Sequence, residues 1–282
     1  KSTGSPIALL VRNEDAEPQS YEAIKDLYRP GHADYTYEAK YGIRDWRGGG
    51  RASARTTVAH VAAGAIAQKL LSTIGVRIIG YVRQIGNTLA QEIDETQVYK
   101  NALRCPDPAV YDAFVREIED ARRARDSVGG VVEVVAHGVP VGLGEPIFHK
   151  LSADLAHAFF AIPAVKGLEI GDGFASSTRR ASENNDAWIK KADGSVGTKT
   201  NRAGGIVGGI STGEDIVVRF ALKPASSIVK EQETIDTSLN PAKIQVHGRH
   251  DPCVCPRAVP IGEAMMAIVL ADHYLLSKTN KM

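Results

Sequence analysis

Residues 29–55 read RPGHADYTYEAKYGIRDWRGGGRASAR, and the rest of the chain is read outward from them. The stretch holds five arginines, one histidine and two glycine turns, then opens into an alanine-rich helical pattern. Glycine lets a backbone approach a ligand closely. A helix start offers unpaired N–H groups and a partial positive charge. Arginine presents a planar fork that matches phosphate or carboxylate. Together these predict a site for a small, multiply anionic ligand. A solvated loop with scattered charge is the alternative. It fits less well, because the arginines flank glycine turns instead of lining one helix face.

Bulk composition narrows the partners. The chain has 282 residues, 43% hydrophobic and 24% charged, as in an ordinary globular protein. Its formal net charge is +1, so neither nucleic acid nor an acidic membrane surface is expected as a partner. Any anion site must come from local clustering, as at Arg44, Arg47, Arg51 and Arg55. No apolar run reads as long enough to cross a bilayer, and the apolar run near the N-terminus is too short for a signal-peptide core. Three cysteines, Cys105, Cys253 and Cys255, make no disulfide framework and fit a reducing cytoplasm.

Taken in order, Pro6 to Val11 reads as a strand. Tyr21 to Tyr28 reads as a helical turn before Pro30. Thr56 to Ile74 is apolar nearly all round, which predicts a buried helix with Gly64 at a close crossing and Gly75 as its stop. His60 reads as a core or interface histidine. Val76 to Ile85 alternates as a strand. Pro108 to Ser127 reads as a helix with a charged outer face, and Gly129 to Pro140 as a β-branched strand. Ser152 is expected to cap a helix over Ala153 to Ile162. Gly167 to Phe174 reads as a strand and turn. Residues 176–200 are polar and read as a long, mobile surface loop. Asp215 to Leu222 alternates as a strand, and Gly262 to Lys278 is an apolar helix. Strands and helices mix without regular βαβ alternation, which favours an α+β fold with antiparallel pairing.

The quoted stretch resembles the central signature of chorismate synthases. The resemblance continues in GVPVGLGEPIFHKLSADLAHAFFAIPAVKGLEIGDGF (residues 138–174), NRAGGIVGGISTGEDIVVRFALKPASS (201–227) and GRHDPCVCPRAVPIGEAM (248–265). Several long motifs of unusual composition, in order over nearly the whole chain, make a specific signal. The resemblance implies one domain over residues 1–282, a β-α-β sandwich of antiparallel sheets with layered helices, and a homotetramer. It also implies the reaction: 1,4 elimination of phosphate from 5-enolpyruvylshikimate 3-phosphate to give chorismate, with reduced FMN (FMNH2) required but no net redox change. Such relatives carry an upstream Gly-Glu-Ser-His-Gly segment with a second functional histidine. This chain opens at Lys1 without it and is expected to be catalytically crippled alone.

The resemblance assigns roles residue by residue. His32 is placed at the flavin and Asp251 in a proton relay beside it. Arg51, Ser53, Ala54, Asn184, Gly208, Lys223, Ser226, Ser227 and Arg249 are placed as flavin contacts. Arg29, Arg55 and Arg249 are placed on the anionic groups of the substrate. Ala52, Trp46, Thr56, Arg202 and Ala225 depart from the residues common in relatives and put individual contacts in doubt. No metal is expected. His247, His250, Cys253 and Cys255 lie close together, but H-x-x-H and C-x-C crowd the ligands into one turn. Two further readings remain. One is a catalytically incomplete flavin- or anion-binding fragment or paralogue. The other is a generic nucleotide-phosphate binder, which lacks a strand–glycine loop–helix context.

Overall fold

The structure, a computed structural model, describes residues 2–14, 17–48, 50–248 and 250–280. Its strands are β1 (Arg77–Ile85), β2 (Thr88–Leu89), β3 (Gly130–His137), β4 (Val165–Ile170), β5 (Trp188–Lys190), β6 (Val196–Thr198), β7 (Ile206–Val207), β8 (Ile210–Ser211), β9 (Ile216–Leu222), β10 (Gln232–Ile235) and β11 (Pro241–Ile244). Its α-helices are α1 (Asp34–Tyr41), α2 (Val58–Ser72), α3 (Tyr111–Arg123), α4 (Leu151–Phe160), α5 (Ala181–Asn184) and α6 (Cys255–Ser277).

A five-stranded antiparallel sheet in the order β2-β1-β3-β9-β4 carries the core. Alternation along β9 sends Ile216, Val218, Phe220 and Leu222 inward, as a half-buried strand requires. On that face Val134 pairs with Val218 and Val132 with Phe220. The Phe220 ring meets Phe159 of α4 edge-on at 5.1 Å between centroids. The opposite face carries a polar ladder in register across four strands: Tyr81 opposite Glu133, Glu133 opposite Arg219, Arg219 opposite Glu169. Arg219 reaches Glu133 at 3.0 Å and Glu169 at 3.2 Å. Cross-strand pairs of opposite charge help fix the register on this face, beside a smaller buried cluster of Ile79, Tyr81, Val98 and Val135.

α6 lies over the sheet and packs against α2 and α4. Gly64 makes the α2–α6 crossing: a Cβ there would stand 2.3 Å from the Ala264 Cβ. α6 begins seven residues before its expected start. Pro256 lies in the first turn, where its missing N–H costs nothing, and Pro260 and Gly262 are carried inside the helix. By length and composition α6 is apolar enough to cross a membrane, contrary to the expectation that no run is. It is largely buried here, as a core helix is. Its Glu263 reaches the free edge of β1, accepting from the Gly80 amide at 2.7 Å and the Tyr99 hydroxyl at 2.8 Å.

Other expectations need correction. Pro6 to Val11 forms no strand, and Leu10 is 81% exposed; a strand needs a partner ladder, and none lies beside it among the described residues. α2 is not buried all round, since only Gly64, Ala67 and Leu71 are fully buried. Ser152 lies inside α4 and caps nothing; Lys150 precedes the helix. Within residues 176–200, α5 and the β5–β6 hairpin give the polar stretch regular structure on the surface. The helix after residue 107 is shorter, Tyr111–Arg123. The α+β class stands, with antiparallel strands and a layer of helices.

Gly64→Ala is expected to destabilise the chain by about 1–3 kcal/mol through overpacking against Ala264, although alanine favours a helix by about 1 kcal/mol over glycine. Urea denaturation of the two proteins checks this; an equal or higher midpoint for the variant would contradict the close crossing.

Candidate anion and cofactor site

A hairpin delivers the basic loop. β10 and β11 pair from Gln232 to Ile244. The chain before the loop joins their edge: the Tyr28 amide donates to Ile235 O at 3.2 Å, and the Thr237 amide to Asp26 O at 2.9 Å. Residues 29–33 then turn, with Gly31 at φ +65°, a left-handed value that glycine adopts without strain. Asp34 opens α1 and is 4% exposed.

Asp34 is the hub of this loop. Arg29 grips it with a fork, Nε to Oδ2 at 2.8 Å and Nη2 to Oδ1 at 2.8 Å, and its backbone amide adds a bond at 3.1 Å. His32 Nδ1 lies 2.9 Å from Oδ1, and Arg44 approaches to 3.4 Å. Burial by itself raises this carboxyl's pKa. Hydrogen bonds from Arg29 and His32, and their charges, outweigh burial and hold it well below the usual carboxylate range.

The five arginines therefore divide. Arg29 and Arg44 serve Asp34, and Arg44 also lies over the Tyr28 ring and donates to Leu27 O. Arg47 pairs with Asp45 at the surface. Arg44 and Arg47 are thus not free cations for a ligand, contrary to expectation. Arg51 and Arg55 are exposed and have no carboxylate partner among the described residues. They flank Ser53, whose hydroxyl accepts from the Arg55 amide at 3.3 Å and caps a 3-10 turn, Ala54–Thr57, ahead of α2. Gly48 lies against the Tyr21 ring, not open space.

A second loop closes onto the first. Lys223 and Ser226 follow β9. The Gly31 carbonyl accepts from Lys223 Nζ at 3.1 Å and from Ser226 Oγ at 2.8 Å, and Lys223 Nζ lies 2.6 Å from Ser226 Oγ. Ser127 Oγ steadies this loop by donating to Ala225 O at 2.7 Å. Burial, and after it the charge of Lys166, pulls the Lys223 ammonium below its ordinary value. Ser227 is buried beside it. His250 also faces this region. Burial first, then the charges of Arg29 and Arg55, push its pKa down, and its Nδ1 is buried with no hydrogen-bond partner among the described residues.

The contacts bring together Arg29, His32, Lys223 and Ser226, with Arg55 and His250 close enough to act electrostatically. Asp251 is bound instead to Arg257 of α6, at 2.6 Å. Asn184 ends α5 with a buried Oδ1 that has no partner among the described residues. Gly208 lies in the exposed β7–β8 turn at φ +64° with open space around it. Among the described residues, no hydrogen bond or ion pair joins Asn184 or Gly208 to the Gly31 cluster. Arg249 lies outside the described residues. Two residues of the site escaped sequence reasoning as contributors, Asp34 and His250. The signal for Asp34 was its place two residues after a histidine at a helix start.

The histidine–cysteine cluster does not converge. Cys253 and Cys255 are buried and hydrogen-bond to each other; that bond and burial push the Cys255 thiol up. His247 is exposed and His250 faces the arginines. No set of three His, Cys, Asp or Glu side chains suited to a metal occurs among the described residues.

An α+β protein whose basic glycine turn is tied to a lysine–serine loop is, by class, a binder of phosphorylated or carboxylated small molecules. The family model for chorismate synthase matches residues 1–275. Chorismate synthases from Chloroflexus aggregans and Roseiflexus castenholzii are 57% and 55% identical, over 98% and 100% of this chain and 76% and 79% of theirs. One from Methanosarcina mazei is 52% identical over 98% of this chain and 77% of its own. A crystal structure of a chorismate synthase superposes with a TM-score of 0.73 at 33% identity, over 87% of this chain and 70% of that one. The chain belongs to the chorismate synthase family.

Asp34→Ala would leave the Arg29 guanidinium without its carboxylate, while Arg44 keeps Glu38 at 3.5 Å and Leu27 O, at a cost of about 3–5 kcal/mol. Since its folded-state pKa is depressed, Asp34 contributes stability above the unfolded value near 4 and loses that contribution as pH falls below it. The wild-type unfolding midpoint should therefore fall between about pH 4 and lower values, with a shallower fall in the variant. Parallel slopes would show that Asp34 is not the linked group.

Proposed function

We propose that this chain catalyses the chorismate synthase reaction, converting 5-enolpyruvylshikimate 3-phosphate to chorismate and phosphate. The C–O bond to phosphate breaks, a ring proton leaves, and no net oxidation results. One observation carries the reading: Lys223 and Ser226 clasp the Gly31 carbonyl, which sets His32 beside a cation and a hydroxyl pair. Family membership supplies the reaction.

The residues present fit a flavin phosphate and an anionic substrate. Lys223 keeps ammonium protons beyond those it gives Gly31, and Ser226 and Ser227 add hydroxyls. Arg51, Ser53 and Ala54, at a capped 3-10 turn, are the next contacts assigned to the cofactor, with Asn184 and Gly208 beyond them. The orphaned Asn184 Oδ1 is available to an N–H of the cofactor. Arg55, unpaired by carboxylate, is the substrate's main anchor, and Arg29 contributes what its fork on Asp34 leaves over. His32 holds or moves a proton at Nε2. Asp251 enters the proton relay only after leaving Arg257. Reduced FMN, if held by these residues, would supply an electron transiently and recover it with the ring hydrogen, so that no net oxidation results.

A homotetramer and a cytoplasmic location belong to the same reading. A cavity of about 360 Å³ between the β5–β6 and β7–β8 hairpins is lined by Val141, Trp188, Val196, Val207 and Ile210, with Trp188 58% exposed. An apolar surface of that kind suits a subunit contact.

In an anaerobic assay followed by chorismate absorbance, any chorismate formed is expected to depend on chemically reduced FMN, with none formed on oxidised FMN. Lys223→Ala should weaken FMN binding by roughly 10- to 150-fold, the range for a charge-assisted hydrogen bond of about 1.5–3 kcal/mol, read by flavin fluorescence. A sample that binds FMN yet yields no reduced-flavin-dependent product would overturn the reading.

A further inference from the structure

We propose that Asp34 is a positioning residue for His32: it keeps the proton of the neutral imidazole on Nδ1 and leaves Nε2 as the atom that accepts and returns a proton. The inference rests on the reading above, in which His32 is the proton carrier at the cofactor.

The argument is one of donors and acceptors. Asp34 has two carboxylate oxygens and several claimants. Oδ2 receives the Arg29 amide at 3.1 Å and Arg29 Nε at 2.8 Å. Oδ1 receives Arg29 Nη2 at 2.8 Å and lies 2.9 Å from His32 Nδ1. A carboxylate locked by an arginine fork is ionised and has no proton to give. The short contact to His32 is therefore bonding only if Nδ1 carries the hydrogen. That assigns the lone pair of neutral His32 to Nε2, for which no protein partner is recorded among the described residues. When Nε2 takes a proton, the new positive charge is met by Asp34 through Nδ1.

The surroundings make this control necessary. His32 meets Asp34 directly and His250 electrostatically; Arg29 and Arg44 reach the same Asp34 carboxylate, Lys223 reaches the neighbouring Gly31 carbonyl, and Arg29, Arg55 and Asp251 act on His250. Most of these groups are cationic or basic. Without Asp34 nothing among the described residues would hold the ring in place or favour Nδ1–H. In a Ser-His-Asp triad the same arrangement fixes the histidine tautomer, and Asp→Asn there keeps the geometry while lowering kcat about 10⁴-fold.

Asp34→Asn is the informative change. Arg29 Nε and its amide require an acceptor, so the Asn oxygen takes the Oδ2 place. The Asn amide N–H2 then displaces Arg29 Nη2, which loses its acceptor, and faces His32 Nδ1, which must become an acceptor as the imidazole proton moves to Nε2. The experiment is nitrogen-15 NMR of the histidine side chains in the full chain, at a pH where the rings are neutral. The His32 signals are assigned by their loss in His32→Gln.

The expected wild-type result is a pyrrole-type Nδ1 and a pyridine-type Nε2, exchanged in Asp34→Asn. With reduced FMN and substrate, kcat of Asp34→Asn should fall about 10²- to 10⁴-fold, the range for losing a general acid–base group, with KM changed less. A wild-type Nε2–H tautomer would overturn the proposal, and this measurement stands even if the variant fails to fold. A folded Asp34→Asn with unchanged tautomer would overturn it too. The expected tautomers together with a fully active His32→Gln would uphold the positioning and overturn only the proton-carrier reading.

Discussion

A carboxylate that is 4% exposed cannot stay charged unless cations and N–H donors replace the water it has lost. Asp34 meets that demand with Arg29, His32 and Arg44, and the local structure follows from it. The Arg29 fork fixes one end of the loop and the helix start of α1 fixes the other. Between them the Gly31 carbonyl is turned outward, where Lys223 and Ser226 bind it. Arg44 ties the same carboxylate back to Leu27 O, beside the edge of the β10–β11 hairpin. One anion thus orders a cationic loop whose members would otherwise repel each other, and it does so before any ligand arrives.

The second constraint is the seating of α6. Its N-terminal turn carries Arg257, which holds Asp251. Its middle meets α2 at Gly64, and its Glu263 closes the free edge of β1. Burial pushes the Glu263 carboxyl upward against the bonds from Gly80 and Tyr99, so this is a costly group placed where an edge amide would otherwise go unpaired. The consequence is positional. The loop containing His250 and Asp251 is carried by the most buried helix of the chain, while the loops that meet it hang from a surface hairpin and from the end of β9. Buried and exposed supports converge on one place.

Much of this was legible in the sequence. Alternation in Asp215 to Leu222 and β-branching in Gly129 to Pro140 reflect burial on a sheet, a local property. Gly64 in an alanine-rich helix announced a close crossing, and one is there. The failures share a cause: partners distant in sequence. Pro260 and Gly262 look like helix breakers until the packing of α6 over the sheet outweighs their cost. Ile7 to Val11 has strand chemistry, but pairing is decided by what lies beside it. The arginines of residues 29–55 look alike in sequence. Only the fold shows that a buried aspartate claims two of them and a surface aspartate a third, leaving Arg51 and Arg55. Motif resemblance found the family. It gave no hint that the aspartate in PGHAD organises the site.

The residual charge supports the proposal that the site takes anions. Around the Gly31 cradle stand Arg29, Arg55, Lys223, His32 and His250. Asp34 is saturated and Asp251 is bound to Arg257. Burial first, and neighbouring positive charge after it, lowers the proton affinity of His250 and of Lys223. A ligand bearing phosphate and carboxylate groups offsets that charge, and does so in a partly dehydrated place where Coulomb attraction is less screened than in water. A ligand that binds only the folded state stabilises it according to its concentration relative to its Kd. A site left short of negative charge thereby couples ligand binding to the order of its own loops, and the hub at Asp34 keeps that shortage from scattering the cations while the site is empty of ligand.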